Sequence, residues 1–327
     1  MNVDSTTIAR VRLAMHEAIG DHLFDRKSNI NLIDFGWKEL KGQKLEDVLA
    51  IRFHVVEKRS LMQLETAGIR PLPPSIGPFP TDVLVGTYRL HRWRWSWWGG
   101  GWAPPANPAM ARADPMRGGI SISDEYHFAA GTLGGKVIDR ATGAEMILSN
   151  WHVLVVEWGT QPGQPIYQPG RLDGGIRHDT VATLTRDAMS NNLDAAVARL
   201  TGSRRLSNDQ LNLGPVTGVS RAQLGMEVVK SGRTTGITYG RVTGVEGTAA
   251  THYGYVDRII RNVVTIDQRT PGEQVSAGGD SGSWWLDSAT KQAIGLHFAG
   301  SDSPERGLAL DMQSVLDALN VTIIPAP

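Results

Sequence analysis

Gly279-Asp280-Ser281-Gly282-Ser283 closes a glycine-rich turn, Ser276-Ala277-Gly278-Gly279-Asp280, and runs straight into the apolar pair Trp284-Trp285. A serine set between glycines can present its hydroxyl while neighbouring backbone N–H groups point at one spot. Acyl transfer needs both parts: a nucleophile, and fixed donors aimed at the oxyanion that develops in the transition state. Taken alone the string is a turn with a suggestive sequence. Its meaning depends on partners elsewhere in the chain.

Two upstream segments carry such partners. Glu145-Met146-Ile147-Leu148-Ser149-Asn150-Trp151-His152 reads as an apolar strand ending in a polar corner with His152. Asn191-Asn192-Leu193-Asp194-Ala195-Ala196-Val197 places Asp194 at the start of a short strand, after a loop of turn residues. A serine hydroxyl is a poor nucleophile at neutral pH, so a histidine must take its proton. That histidine in turn needs a carboxylate to fix its tautomer and stabilise its charged form. The chain order is His, Asp, Ser, with gaps of 42 and 87 residues. The bland alternative is a core histidine, a surface aspartate and a serine in a tight turn.

In order, spacing and local context, residues 118 to 320 resemble the chymotrypsin/trypsin-like serine protease family in its bacterial, disulfide-free form. The resemblance implies Ser281 as nucleophile, His152 as general base and acid, and Asp194 as the orienting carboxylate. It implies an oxyanion hole from the backbone N–H groups of Gly279 and Ser281. It also implies an all-β architecture of two antiparallel six-stranded barrels, with the site between them. In the family, the residue six before the nucleophile floors the pocket for the side chain preceding the scissile bond. Here it is Val275, which gives no support for Lys or Arg. Ser276 and His297, the latter in Ala293-Ile294-Gly295-Leu296-His297-Phe298-Ala299-Gly300, are similar to the acid-selective branch; a histidine and a hydroxyl can bond a carboxylate or amide. In activated relatives the aspartate equivalent to Asp280 pairs with an amino terminus made by proteolysis. Arg117-Gly118-Gly119-Ile120 only faintly resembles such a terminus, so a chain that works unprocessed is expected.

Short Val-, Ile- and Thr-rich runs, such as Met226-Glu227-Val228-Val229-Lys230 and Asn262-Val263-Val264-Thr265-Ile266-Asp267, support the all-β reading independently. Gly232, Gly236, Gly240 and Gly244 recur four apart, but among β-branched residues they predict a hairpin or bulged strand. Leu308 to Leu319 is expected to form a C-terminal helix, with Leu308, Met312, Val315 and Leu319 on one face.

Residues 1–88 read as a separate small α+β module. It opens with an amphipathic helix over Ile8 to Leu23. Strands follow at Ile30 to Trp37, Val48 to Val56 and Asp82 to Tyr88, with a short helix around Ser60 to Thr66. The combination resembles a subset of bacterial trypsin-like proteins and plant narrow-leaf proteins that carry such a segment, and it assigns no functional residue. Residues 89–117 form a Trp/Gly/Pro-rich linker, Arg92-Trp93-Arg94-Trp95-Ser96-Trp97-Trp98 onward, holding half of the chain's ten tryptophans. These indoles are expected to strap between the two domains, and the module or this segment is the place for a protein partner. Residues 118–327 are the protease-like domain.

Composition narrows the function classes. Thirty-three basic and thirty-three acidic residues cancel, so no electrostatic case exists for nucleic acid or an anionic membrane. There is no cysteine, and no His-x-x-x-His pair among the nine histidines, so neither a metal nor another cofactor is expected. No basic start followed by an apolar run, and no membrane-spanning run, is visible, which reads as cytoplasmic. Three readings follow: a serine endopeptidase acting on protein or peptide, a protease-like scaffold or binding protein with an unassembled triad, and a protease held inactive by its amino-terminal module.

Overall fold

The computed structural model describes residues 5–20, 29–90 and 107–325. Two closed six-stranded barrels dominate it. In the first, Ser121–Asp124 pairs with Pro165–Tyr167, and the order continues through Thr180–Asp187, Ala196–Leu200, Glu145–Ser149 and Gly135–Asp139. Gly131–Thr132, which leads directly into Gly135–Asp139, returns to Ser121–Asp124 and closes the ring. In the second, the order is Glu227–Gly232, Trp284–Asp287, Ala293–Asp302, Glu305–Asp311, Val256–Gln268 and Gly236–Tyr253, and the last pairs back with the first. Closure removes the unpaired edges that short antiparallel strands would otherwise expose.

The glycine series is a hairpin: Gly232 sits opposite Gly236 where Glu227–Gly232 turns into Gly236–Tyr253. The C-terminal helix is shorter than its apolar periodicity implied. Leu308 pairs with Thr265 and Ala299 inside the strand Glu305–Asp311, and the helix spans only Met312–Ala318. Two forces set this start. Ladder hydrogen bonds claim Leu308 to Leu310, and the Asp311 carboxylate caps the helix by accepting the Ser314 N–H. The apolar face is buried as expected, with Leu308, Met312, Val315 and Leu319 all in the core.

The amino-terminal elements are helix Ser5–Ala18, strands Ile30–Leu40, Gln43–Val55 and Phe79–Val85, and helix Leu61–Thr66 capped by Ser60. Leu23 and the tryptophans of residues 93–102 lie outside the described residues. These strands do not form a sheet of their own. The hairpin Gly236–Tyr253/Val256–Gln268 projects beyond the second barrel, and Ile30–Leu40 pairs with its free flank, Leu32 opposite Ala249 and Gly36 opposite Gly244. The expected amino-terminal module therefore shares one continuous sheet with the second barrel.

A buried charged cluster holds this join. Arg52 donates two hydrogen bonds to Asp34, of 2.7 and 2.5 Å, and Thr265 of the barrel donates to Asp34 at 2.6 Å. Burial alone would push the Asp34 carboxyl up, but Arg52 and His54 outweigh it and hold it well below the usual carboxylate range. Arg306 bridges similarly to Asp267, to Glu39 and to the Val85 carbonyl. Removing any one partner would strand another charge away from water, which ties the two parts in a single register.

Candidate active site

Strand register alone brings His152 to Asp194. Ser149 lies opposite Ala196 in the antiparallel pair Glu145–Ser149/Ala196–Leu200. His152 follows one strand end by three residues and Asp194 precedes the other by two, so both fall at the same rim. The His152 N–H donates to Asp194 Oδ1 at 3.0 Å, and Nδ1 lies 2.5 Å from Oδ2. A carboxylate only accepts, so Nδ1 carries the proton and Nε2 of the neutral ring is an acceptor. Nε2 is buried and has no hydrogen-bond partner among the described residues.

Two residues that sequence reasoning left without a role complete the carboxylate's surroundings. Tyr253 donates its hydroxyl to Asp194 Oδ2 at 2.8 Å, and Asn150 donates to the Asp194 carbonyl at 2.7 Å. Asn150 was visible two positions before His152. Tyr253 was not, because it arrives from the tip of the projecting hairpin, 59 residues away.

The serine turn docks on the same rim. Thr132 donates its N–H to the Ser281 carbonyl and its hydroxyl to the Gly279 carbonyl, each at 2.8 Å. Ser149, three residues before His152, donates to the Thr132 carbonyl at 2.8 Å. A Cβ added to Gly131 would meet the Val153 side chain at 2.6 Å and the Ser281 carbonyl at 3.2 Å. Gly279 and Gly282 take φ of +97° and +96°, where a Cβ is strained; one added to Gly282 would also meet Ser149 Oγ at 2.1 Å. That geometry directs the turn's donors. The N–H groups of Asp280, Gly282 and Ser283 go to the carbonyls of Ala277, His297 and Asp280. Those of Gly279 and Ser281 have no acceptor among the described residues. Ser281 Oγ contacts the Phe298 carbonyl at 3.5 Å.

Asp280 is fully occupied. Lys230 lies 2.9 Å from Oδ2, which also accepts the Thr235 hydroxyl at 2.6 Å and the Ala277 N–H at 3.0 Å. Oδ1 accepts the N–H groups of Thr234 and Thr235. Burial would raise this carboxyl, yet Lys230 and then the Thr235 hydroxyl draw it down to about 2. The cation paired with Asp280 is thus an internal lysine. Arg117 and Gly118 instead sit in a strand, Met116–Gly118, parallel to Leu206–Gln210.

Of the expected pocket residues, Val275 and Ser276 are buried, and their N–H groups donate to Glu305 Oε1 at 2.7 and 3.2 Å. Ser276 Oγ is buried without a partner among the described residues. His297 is fully buried, with Nδ1 accepting the Trp285 indole N–H at 3.4 Å, and Gly307 and Val275 beside its ring.

No family model and no curated protein matches the chain. Solved structures do. Thermobifida fusca protease A is 18% identical (TM-score 0.48), covering 64% of this chain and 99% of its own. Nocardiopsis protease is 21% identical (TM-score 0.49), covering 64% and 98%. Cellulomonas bogoriensis chymotrypsin is 18% identical (TM-score 0.47), covering 64% and 99%. These structural neighbours are bacterial chymotrypsin-like proteases. No helix among the described residues is long and apolar enough to cross a membrane.

Proposed function

We propose that the protein is a serine endopeptidase. Ser281 Oγ attacks a peptide carbonyl while His152 Nε2 takes its proton. The C–N bond then breaks as the imidazolium returns that proton to the leaving amine. Water repeats the sequence on the acyl-enzyme, releasing the acid and restoring Ser281. Asp194 holds the imidazole tautomer and offsets its transient charge, and the N–H groups of Gly279 and Ser281 bind the oxyanion. The observation that carries this reading is the buried His152–Asp194 pair, with Nε2 unengaged, on the same rim as a turn offering a serine and two N–H groups without acceptors. Residues 118–327 form the catalytic domain, and residues 1–88 support and regulate it. The long Ser281–Phe298 contact favours one second reading, a scaffold whose serine and histidine never couple.

Tyr253 acts as a positioning residue. Tyr253→Phe removes one donor to Asp194 and is expected to lower kcat about tenfold. It should leave KM unchanged and shift the acidic limb of the pH–rate profile, which loss of packing alone would not move.

Val275, Ser276 and His297 are assigned to the pocket for the side chain before the scissile bond, and polar groups there favour side chains that accept hydrogen bonds. The Ser276 hydroxyl, buried without a partner among the described residues, is the donor on which this preference rests, and His297 is the second polar residue assigned to the same pocket. Expected substrates are Asp, Glu, Asn or Gln before the scissile bond. A peptide panel cut faster at Glu or Gln than at Leu supports this, with Ser281→Ala as control; equal rates at Leu and Glu would sink it.

A further inference from the structure

The edge of strand Ala293–Asp302 that faces the serine turn has a continuous set of neighbours. Trp285 and Trp284 lie opposite Gly295 and Leu296, and Gly282 and Ser283 exchange hydrogen bonds with His297. Ser281 comes next, beside the Phe298 carbonyl. At Ala299 and Gly300 the partner changes. Leu90 and Arg89, the first residues of the expected linker, pair there, antiparallel, as a two-residue strand.

This stretch of edge is where an extended peptide must lie if its carbonyl is to reach Ser281 Oγ and the N–H groups of Gly279 and Ser281. Peptides bind such edges by adding a strand, with backbone hydrogen bonds supplying the affinity. The polarity also matches. An antiparallel partner that passes Gly300 before Ala299 runs toward Ser281, in the direction of the residues preceding a scissile bond. The occupant is anchored from behind: Tyr88 bonds His54 at 2.7 Å and the Val85 carbonyl accepts from Arg306. Leu90 packs on the main core, and Ser281 is itself only 1% exposed.

We infer that Arg89–Leu90 is a tethered competitor, occupying the sheet edge at Ala299–Gly300 that an extended peptide substrate needs. The inference rests on the endopeptidase reading above. Productive binding requires the segment to leave, so the apparent KM for extended substrates is the intrinsic value divided by the fraction of molecules in which it is unseated. Small acyl substrates that do not reach Ala299 escape this competition.

The test uses the full chain and the double variant R89P/L90P, which removes both N–H groups of the short strand. Leu90→Asp serves as a second variant that keeps the N–H groups and loses the apolar contact. Two probes are compared: p-nitrophenyl acetate, and a set of N-succinyl tetrapeptide p-nitroanilides varied at the last residue. The expected result is a fall in tetrapeptide KM of about tenfold or more with kcat unchanged, while acetate hydrolysis stays constant. Constant acetate hydrolysis with an unchanged tetrapeptide KM in both variants overturns the inference and leaves the endopeptidase reading standing. An intact chain inert to acetate and to a fluorophosphonate overturns the endopeptidase reading, and the inference with it.

Discussion

Replacing Ser281 with alanine is expected to lower peptide turnover by about six orders of magnitude in kcat while leaving KM nearly unchanged. The substitution removes the one atom that forms the acyl bond. It leaves the pocket, the sheet edge and the two unengaged N–H groups in place, so binding survives. Residual hydrolysis comes from the oxyanion donors and from orientation. His152→Ala is expected to cost about as much, because the hydroxyl and its base act as one unit. The double variant should then be scarcely worse than either single one. Stopped assays at high enzyme concentration read this directly. Additive losses would mean that Ser281 and His152 do not cooperate.

The second large effect is on stability. Lys230→Met keeps the side-chain volume but leaves Asp280 buried without its cation, and is expected to cost about 3–5 kcal/mol. The pH dependence gives the sign. Asp280 is held at about 2 in the folded chain, below its unfolded value. It therefore contributes about 2 kcal/mol that is present above pH ~4 and lost as pH falls through about 2. Without Lys230, burial becomes the dominant influence and raises the carboxyl. The variant then loses stability as pH rises through the ordinary carboxylate range. Thermal melts should show the gap between the two proteins narrow at pH ~3 and wide at pH 7. A gap of equal size at both values would contradict the pairing. Turnover should also fall, since Asp280 ties Ala277, Thr234 and Thr235 around the turn that carries Ser281.

The three residues proposed as a triad stood out because each sits in a local pattern: a serine between glycines, a histidine at a strand end, an aspartate opening a strand. Short Val-, Ile- and Thr-rich runs punctuated by glycine likewise indicated an all-β domain, while the two barrels were implied only by the family resemblance. What stayed hidden depends on long-range placement. Nothing near Lys230 marks it as the partner of an aspartate 50 residues away. Tyr253 reaches Asp194 only because its hairpin runs past the barrel. Ile30 to Trp37 and Val48 to Val55 read as strands and lie within the longer strands Ile30–Leu40 and Gln43–Val55, yet their own pattern could not show that they would extend the barrel's sheet. Arg89–Leu90 is too short to carry any periodic signal. At Leu308 the error had a different source. Apolar spacing continued from strand into helix, and only the Asp311 cap separates them.

One measurement addresses the central claim most directly: mass spectrometry of the full chain after reaction with a fluorophosphonate, whose phosphorus captures an activated serine oxygen. The account predicts a single stoichiometric adduct on Ser281, absent in Ser281→Ala and formed far more slowly in His152→Ala. No adduct, or one that persists undiminished in Ser281→Ala, would contradict it.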